Sequence, residues 1–555
     1  MYASSGFGAL VGVLVSIIAG AFFYLVKASK NVDLFGDYRI INFSIFDLDL
    51  KIVTFISFAA LLVLLTRHLF NITQWSGPAD SIYAAHQEAD ELDLKIGFAS
   101  TLAALISAAG NASVGQYGPL VHFGATAGTG LKRFFKINIG SDIVIGCGVA
   151  AAISAGFDAP IAGIIFAHEA ILRHYSPSAM APIATSAIVA AAIGNYFLNI
   201  PHPLALLEAT PSLVNAFIPV VISGILFGLV AIAFMTSLRF FARMNARLNR
   251  PVYQSLTIAV LSVIGISIII PEALGLGTQT LAAMLNTESS FAFVIFLLLA
   301  KILITSICLG FGFFGGVFFP SLLIGASAGV ILAKFFSIFG YDDLSVSLAL
   351  AGMASVAACV VGAPLATIFI VLELTMSYDF TLIALLAVIV SQVVSSNLFG
   401  NSFFDRQLLD RGIDLRFGRG KLHLTQVIVS DSTHADYVSA KPHWTAGVVL
   451  EKLNASRQTE AYCVSEGGDL EGKINIIGLL DHPEDTIVKD IMDPNPLNLC
   501  TDQSMLEAIK IASNFVGESI PVLQNDTRQM AGIITESDLF AVYLKIQSQV
   551  QDVER

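Results

Sequence analysis

Four short segments of this sequence interrupt apolar runs with glycine and proline: Gly115-Gln116-Tyr117-Gly118-Pro119, Asp158-Ala159-Pro160, Gly315 to Pro320, and Gly362-Ala363-Pro364. Proline is tolerated in a first helical turn, where its missing N–H has no helical partner, so each segment predicts the start of a half-helix. Such a start leaves up to four backbone N–H donors without a partner and carries about half a positive charge. Several starts aimed at one point in a low-dielectric site can hold an anion with no cationic side chain. Without a fixed Lys or Arg the ion can leave as readily as it enters, which conduction requires.

These elements sit in an unusual background. Of 555 residues, 55% are hydrophobic and 13% charged, and the mean hydropathy is +0.75. A soluble domain carries about a quarter charged residues. The composition excludes a soluble enzyme, a disordered chain and a nucleic-acid binder, and predicts a polytopic membrane protein. Residues 417–555 hold twenty acidic and eleven basic side chains, so a nearly balanced membrane block precedes a polar, acidic tail. The five cysteines are scattered and odd in number, which suggests neither a disulfide framework nor a zinc site. Phe7 to Val26 lacks a basic leader and a cleavage site and reads as a first membrane helix. Its abrupt start leaves room for a preceding segment.

Apolar stretches recur from residue 6 to residue 400, several too short for a core of about 30 Å. Broken helices survive in a membrane only where they are buried in protein or line a cavity, which indicates a transporter or channel. An internal repeat agrees. Ala159-Pro160-Ile161-Ala162 returns 204 positions later as Ala363-Pro364-Leu365-Ala366, and Glu169 and Glu373, like Gly148 and Gly352, keep that offset. The expected organisation is membrane repeat 1 over 1–210, membrane repeat 2 over 211–416 and a tail over 417–555. Lys132-Arg133-Phe134-Phe135-Lys136 and the ladder Arg239, Arg243, Arg247 and Arg250 should face the cytoplasm, and the tail with them.

In order along the chain, Trp75-Ser76-Gly77-Pro78, Gly115 to Pro119, Gly316-Val317-Phe318-Phe319-Pro320 and Phe403-Phe404-Asp405 resemble the signatures of the CLC chloride channels and transporters. The resemblance spans essentially residues 6–555. It implies an all-α polytopic membrane fold of two inverted repeats with broken, tilted helices, assembled as a homodimer with one anion path per subunit. It also implies that the amides of Val317 and Phe318 and the hydroxyl of Ser76 bind a central chloride, next to Phe404. The amides of Gln116, Tyr117 and Gly118 would line an outer site.

The departures from that pattern are informative. The family's gating and proton-carrying glutamate is Tyr117 here, and a phenol with a pKa near 10 does not cycle protons near neutral pH. The family's internal proton-accepting glutamate, second of a Glu-Glu pair, falls on Ala170 after Glu169. Phe404 lacks the hydroxyl of the family's tyrosine. Together these losses predict passive, uncoupled chloride conduction. Tyr117 has three placements open to it: turned inward to donate to the anion, swung clear, or plugging the path. The rivals are a chloride/proton exchanger with a relay through His122, His168 or water, and a non-conducting sensor linked to the tail. A fluoride specialist fits less well, because such relatives keep the gating glutamate.

Other residues have plainer readings beside the functional ones. His122 and His168 could titrate between pH 5 and 8, yet such histidines are more often packed and hydrogen-bonded. Glu169 and Glu373 are intramembrane carboxylates, and their matching positions favour capping or pairing. Lys95 could raise the local potential or pair with Glu91.

Residues 424–555 resemble a pair of CBS domains (cystathionine-β-synthase type), an α/β module. The second copy has a helix over 504–515, strands over 519–523 and 531–534, and a helix opening at Thr535-Glu536-Ser537-Asp538. In some CBS domains Thr535 and Asp538 would hold an adenine nucleotide, although the same pair is also an ordinary helix cap. The first copy lacks the threonine. The expectation is thus a non-enzymatic, multi-pass protein of the plasma or inner membrane, with chloride and similar anions as cargo. Neither metal nor cofactor is implied, apart from that nucleotide.

Overall fold

The computed structural model describes residues 2–32, 40–42, 47–87, 92–198, 213–286, 289–342, 344–415, 418–525 and 527–554. The chain folds as two units, Met1–Gly412 and Ile413–Arg555.

The first unit is helical apart from a short antiparallel pair, β1 (Ile40–Asn42) and β2 (Asp47–Asp49). Repeat 1 contains α1 (Tyr2–Asn31), α2 (Leu50–Leu69), α3 (Pro78–Ala85), α4 (Leu94–Ala109), α5 (Tyr117–Phe135), α6 (Ser141–Phe157), α7 (Pro160–Phe166, continuing as a π-turn to Leu172) and α8 (Pro177–Leu198). Repeat 2 follows as α9 (Leu213–Leu248), α10 (Val252–Ile269), α11 (Thr278–Asn286), α12 (Phe291–Gly310), α13 (Phe318–Ser337), α14 (Ser345–Val361), α15 (Pro364–Thr375), α16 (Tyr378–Leu398) and the short α17 (Phe403–Leu409). Among the described residues, eight helices are long and apolar enough to cross a bilayer.

The internal repeat is visible in the elements. Helix α14 begins and ends 204 residues after α6, and α15 starts 204 after α7. Packing repeats too. A Cβ on Gly148 would overlap the Gly124 backbone where α6 crosses α5, and one on Gly352 would overlap Gly325 where α14 crosses α13. Close backbone approach through small residues is how helices associate tightly in lipid.

The second unit opens with α18 (Gly418–Gln426) and then repeats one topology twice. In the first copy β3 (Val438–Ala440) leads through α19 (Ala446–Ser456) to a parallel partner β4 (Glu460–Val464), which pairs antiparallel with β5 (Leu470–Asn475) before α20 (Ile476–Leu480). In the second, β6 (Leu499–Cys500), α21 (Met505–Ala512), β7 (Ser519–Leu523), β8 (Met530–Thr535) and α22 (Glu536–Glu554) repeat that order and both pairings. The first copy folds alike without the threonine because Asn475 takes over the helix cap, its Oδ1 accepting from the Gly478 N–H at 2.8 Å.

Candidate functional site

The membrane unit has four half-helix starts, treated in two different ways. Helices α5 and α13 begin after Gln116 and Val317, and neither N-cap residue closes its start with a side-chain hydrogen bond among the described residues. Helices α7 and α15 begin at Pro160 and Pro364, and each is closed by a carboxylate from the opposite repeat. Glu373 accepts from the N–H groups of Ile161 and Ala162 at 2.9 and 2.8 Å. Glu169 accepts from Leu365 and Ala366 at the same two distances. The capping that the matching positions favoured is therefore reciprocal. It places a carboxylate on the positive ends of α7 and α15.

The uncapped starts are fixed to one another. Gly115 and Gly316 form an isolated antiparallel bridge, each N–H donating to the other's carbonyl at 2.7 and 2.6 Å. A Cβ on Gly115 would lie 2.7 Å from the Gly316 oxygen, and one on Gly316 would lie 2.7 Å from the Gly118 nitrogen. A side chain at either position would force backbone to shift. Behind the bridge, Ser113 and Thr305 share a hydroxyl hydrogen bond of 2.8 Å. One turn away on α12, the fully buried Lys301 donates to the carbonyls of Ala273 and Gly275 at 3.0 and 2.9 Å. Sequence reading missed Lys301, although a lone cation in the apolar run 291–310 was the available signal.

The segment Trp75-Ser76-Gly77-Pro78 is held from two sides. The Ser76 N–H donates to Ser100 Oγ at 3.0 Å, and the Gly77 N–H to Asp80 Oδ2 at 2.7 Å. Asp80 Oδ1 also accepts from Arg411 at 2.6 Å, tying this segment to the residues just after α17. Trp75 lies against Phe314 with ring centroids 5.8 Å apart. Its indole Nε1 is buried and makes no hydrogen bond among the described residues. Phe404 is buried in α17, whose start is closed by a reciprocal Ser402–Asp405 cap.

Tyr117 occupies an aromatic seat. Its ring stacks on Phe157 with centroids 3.9 Å apart, meets Phe318 edge-on at 6.2 Å, and neighbours Phe319 and Phe23 at 6.1 Å each. Its hydroxyl donates to the Gly156 carbonyl at 3.0 Å. In this structure the phenol proton is therefore committed to the backbone. The seat exists because residue 156 is glycine, since a Cβ there would overlap the Tyr117 ring. Nothing in the sequence distinguished Gly156 from its forty-three fellow glycines.

The remaining candidates take these positions. The Ala170 methyl is buried in the π-turn after α7. His122 Nδ1 lies 2.9 Å from Ser81 Oγ. His168 places Nδ1 3.0 Å from the His174 carbonyl and stacks on Tyr175, while its Nε2 is buried with no partner among the described residues. Lys95 is exposed at the start of α4, and its proposed partner Glu91 lies outside the described residues.

In the second unit, Thr535 and Asp538 form a reciprocal cap on α22. The Thr535 N–H and Oγ1 donate to Asp538 Oδ2 at 2.9 and 2.5 Å, and the Asp538 N–H returns to Oγ1 at 3.2 Å. Both residues line a cleft of about 420 Å3 shared with His434, Glu460, Tyr462 and Ser519. Partial burial pushes the Asp538 carboxyl up, but the Thr535 hydrogen bonds and His434 outweigh it and hold the group below the usual range. A carboxyl with a depressed folded value stabilises above its unfolded pKa of about 3.9 and loses that contribution as pH falls through the folded value. The unfolding midpoint of this unit, followed in the intact chain, should therefore keep the Asp538 contribution from pH 7 to 5 and lose it below about pH 4. Asp538→Asn should flatten that acid limb, and an unchanged limb would count against the assignment.

Two uncapped helix starts converging inside a broken-helix membrane bundle define an anion-pathway protein, a channel or transporter and not an enzyme. Residues 58–396 match the voltage gated chloride channel family and residues 488–545 match the CBS domain. The chain belongs to the voltage gated chloride channel family. It is 25% identical over 330 residues to the voltage-gated ClC-type chloride channel ClcB of Salmonella typhimurium, covering 59% of this chain and 79% of that protein. It is likewise 25% identical over 352 residues to ClcB of an Escherichia coli O17:K52:H18 strain, covering 62% and 83%. Among solved structures, a slow cyanobacterial Cl−/H+ antiporter superposes with a TM-score of 0.65 at 22% identity, over 74% of this chain and 97% of that one. A eukaryotic CLC transporter reaches 0.62 at 18% identity over 96% and 97%.

Proposed function

We propose that this protein conducts chloride and similar anions passively, without proton coupling, as a homodimer in the cell membrane with its acidic tail in the cytoplasm. The observation that carries this reading is the seating of Tyr117: no titratable carboxyl stands at the α5 start, and the phenol that replaces it is bonded to Gly156. Ala170 supports it from the inner side, where a methyl cannot accept a proton. Val317, Phe318, Ser76 and Phe404 surround the central chloride, and the amides of Gln116, Tyr117 and Gly118 the outer one.

Purified protein in liposomes, with chloride efflux and external pH recorded together, tests the reading. The expected result is voltage-driven chloride loss with no proton uptake. Proton movement in fixed ratio to chloride would replace the channel by an exchanger. That second reading draws on the solved antiporters of this fold and on the unpartnered His168 Nε2. Tyr117→Phe should leave chloride flux within about twofold, because the hydroxyl bonds to the backbone and not to the ion. A larger change in flux or chloride affinity would place the hydroxyl in the path.

For the tail we propose an adenine nucleotide in the cleft that holds Thr535 and Asp538. The carboxylates of Asp436 and Glu518 along that cleft suit ribose hydroxyls.

A further inference from the structure

Helix α9 presents one continuous stripe to the surroundings. Ile218, Ile222, Ile225, Leu229, Ala233, Thr236, Phe240, Arg243 and Arg247 are all exposed, three or four residues apart. That is the spacing of a single helical face, apolar for most of its length and basic at its end. The exposed apolar face therefore runs directly into two guanidinium groups one turn apart. Around them Thr236, Arg239, Phe240, Arg243, Arg247 and Leu248 line a cleft of about 480 Å3.

The charges there do not cancel. Asp410 accepts from Arg239 through both oxygens, at 2.9 and 3.1 Å, and more distantly from Arg243 at 3.3 Å. One carboxylate is shared by two arginines, Arg243 keeps 58% of its side chain exposed, and Arg247 adds a further positive charge. Phe240 and Leu248, 58% and 42% exposed, supply apolar surface beside them.

We propose that this cleft binds the headgroup phosphate of an anionic phospholipid, held by Arg243 and Arg247, with acyl chains along Phe240 and the apolar stripe above it. Guanidinium pairs recognise phosphate oxygens bidentately, and basic pockets at the cytoplasmic ends of membrane helices favour anionic headgroups. The cytoplasmic placement of this end rests on the orientation proposed above. Asp410 follows directly on α17, which carries Phe404, so occupancy competes with Asp410 for Arg243 beside that helix.

Native mass spectrometry of the full chain with equal phosphatidylglycerol and phosphatidylcholine tests this. The wild type should retain phosphatidylglycerol about tenfold more than phosphatidylcholine. Arg243→Gln with Arg247→Gln should bring the ratio to parity, while Lys132→Gln with Arg133→Gln at the other basic cluster should leave it unchanged. Arg247→Gln alone, which breaks no ion pair among the described residues, should lower the ratio at least about threefold and guards against misfolding of the double variant. Equal retention of both lipids by the wild type, or an unchanged ratio in both α9 variants, would overturn the proposal. Displacement by millimolar glycerol 3-phosphate would overturn it also, since the cleft would then be a site for free phosphate and not for lipid.

Discussion

Gly156→Ala should cut chloride efflux by roughly tenfold or more, although residue 156 touches no ion in any proposed step. Inserting a methyl into a closely packed contact costs about 1–3 kcal/mol when neighbours must move, and 1.4 kcal/mol corresponds to tenfold. The neighbour here is the Tyr117 ring, trapped between Phe157 on α6 and the rings of Phe318 and Phe319 on α13. Expelled from α6, it moves toward Phe318, whose amide heads the proposed central site. Tyr117→Ala in the Gly156→Ala background removes the displaced ring and should restore most of the flux. Wild-type flux in the single variant, or no recovery in the double, would show that the seat does not control the path.

The second large effect is on stability. Glu169→Ala and Glu373→Ala each remove the acceptor of two N–H groups at a helix start, one of them part-buried. A lost hydrogen bond to a charged acceptor costs roughly 1.5–3 kcal/mol, less where water reaches the donor, so the unfolding midpoint in detergent should fall by similar amounts in the two variants. Gln retains one acceptor oxygen at either position and should fall between Ala and Glu. Transport lost at an unchanged midpoint in Glu169→Ala would instead make that carboxylate part of the ion or proton path.

The features legible in the sequence were those written locally. Gly-x-x-x-Pro at 115–119 and 316–320 marked the half-helix starts because proline and glycine there serve backbone geometry. The 204-residue offset paired Glu169 with Glu373 and so favoured a shared structural task. Their actual partners were hidden, because each lies about two hundred positions away and is a bare amide that any residue could supply. Gly156 was hidden for a related reason, since its importance belongs to the ring that lies on it. Lys301 was readable as an anomaly, while its two carbonyl partners were not. In the tail, the missing threonine made the first copy look weak, yet Asn475 performs the same capping with a different side chain.

The Gly115–Gly316 bridge bears on how the two halves can move. It joins equivalent points of the two repeats by a symmetric pair of hydrogen bonds, with no side chain to spare on either strand. Sliding of one repeat past the other at this point would break both bonds, whereas a turn about it would keep them. Displacements grow with distance from a pivot. A turn about that point would displace Tyr117 and Phe318, which flank the bridge, least, and the residues farthest from it most.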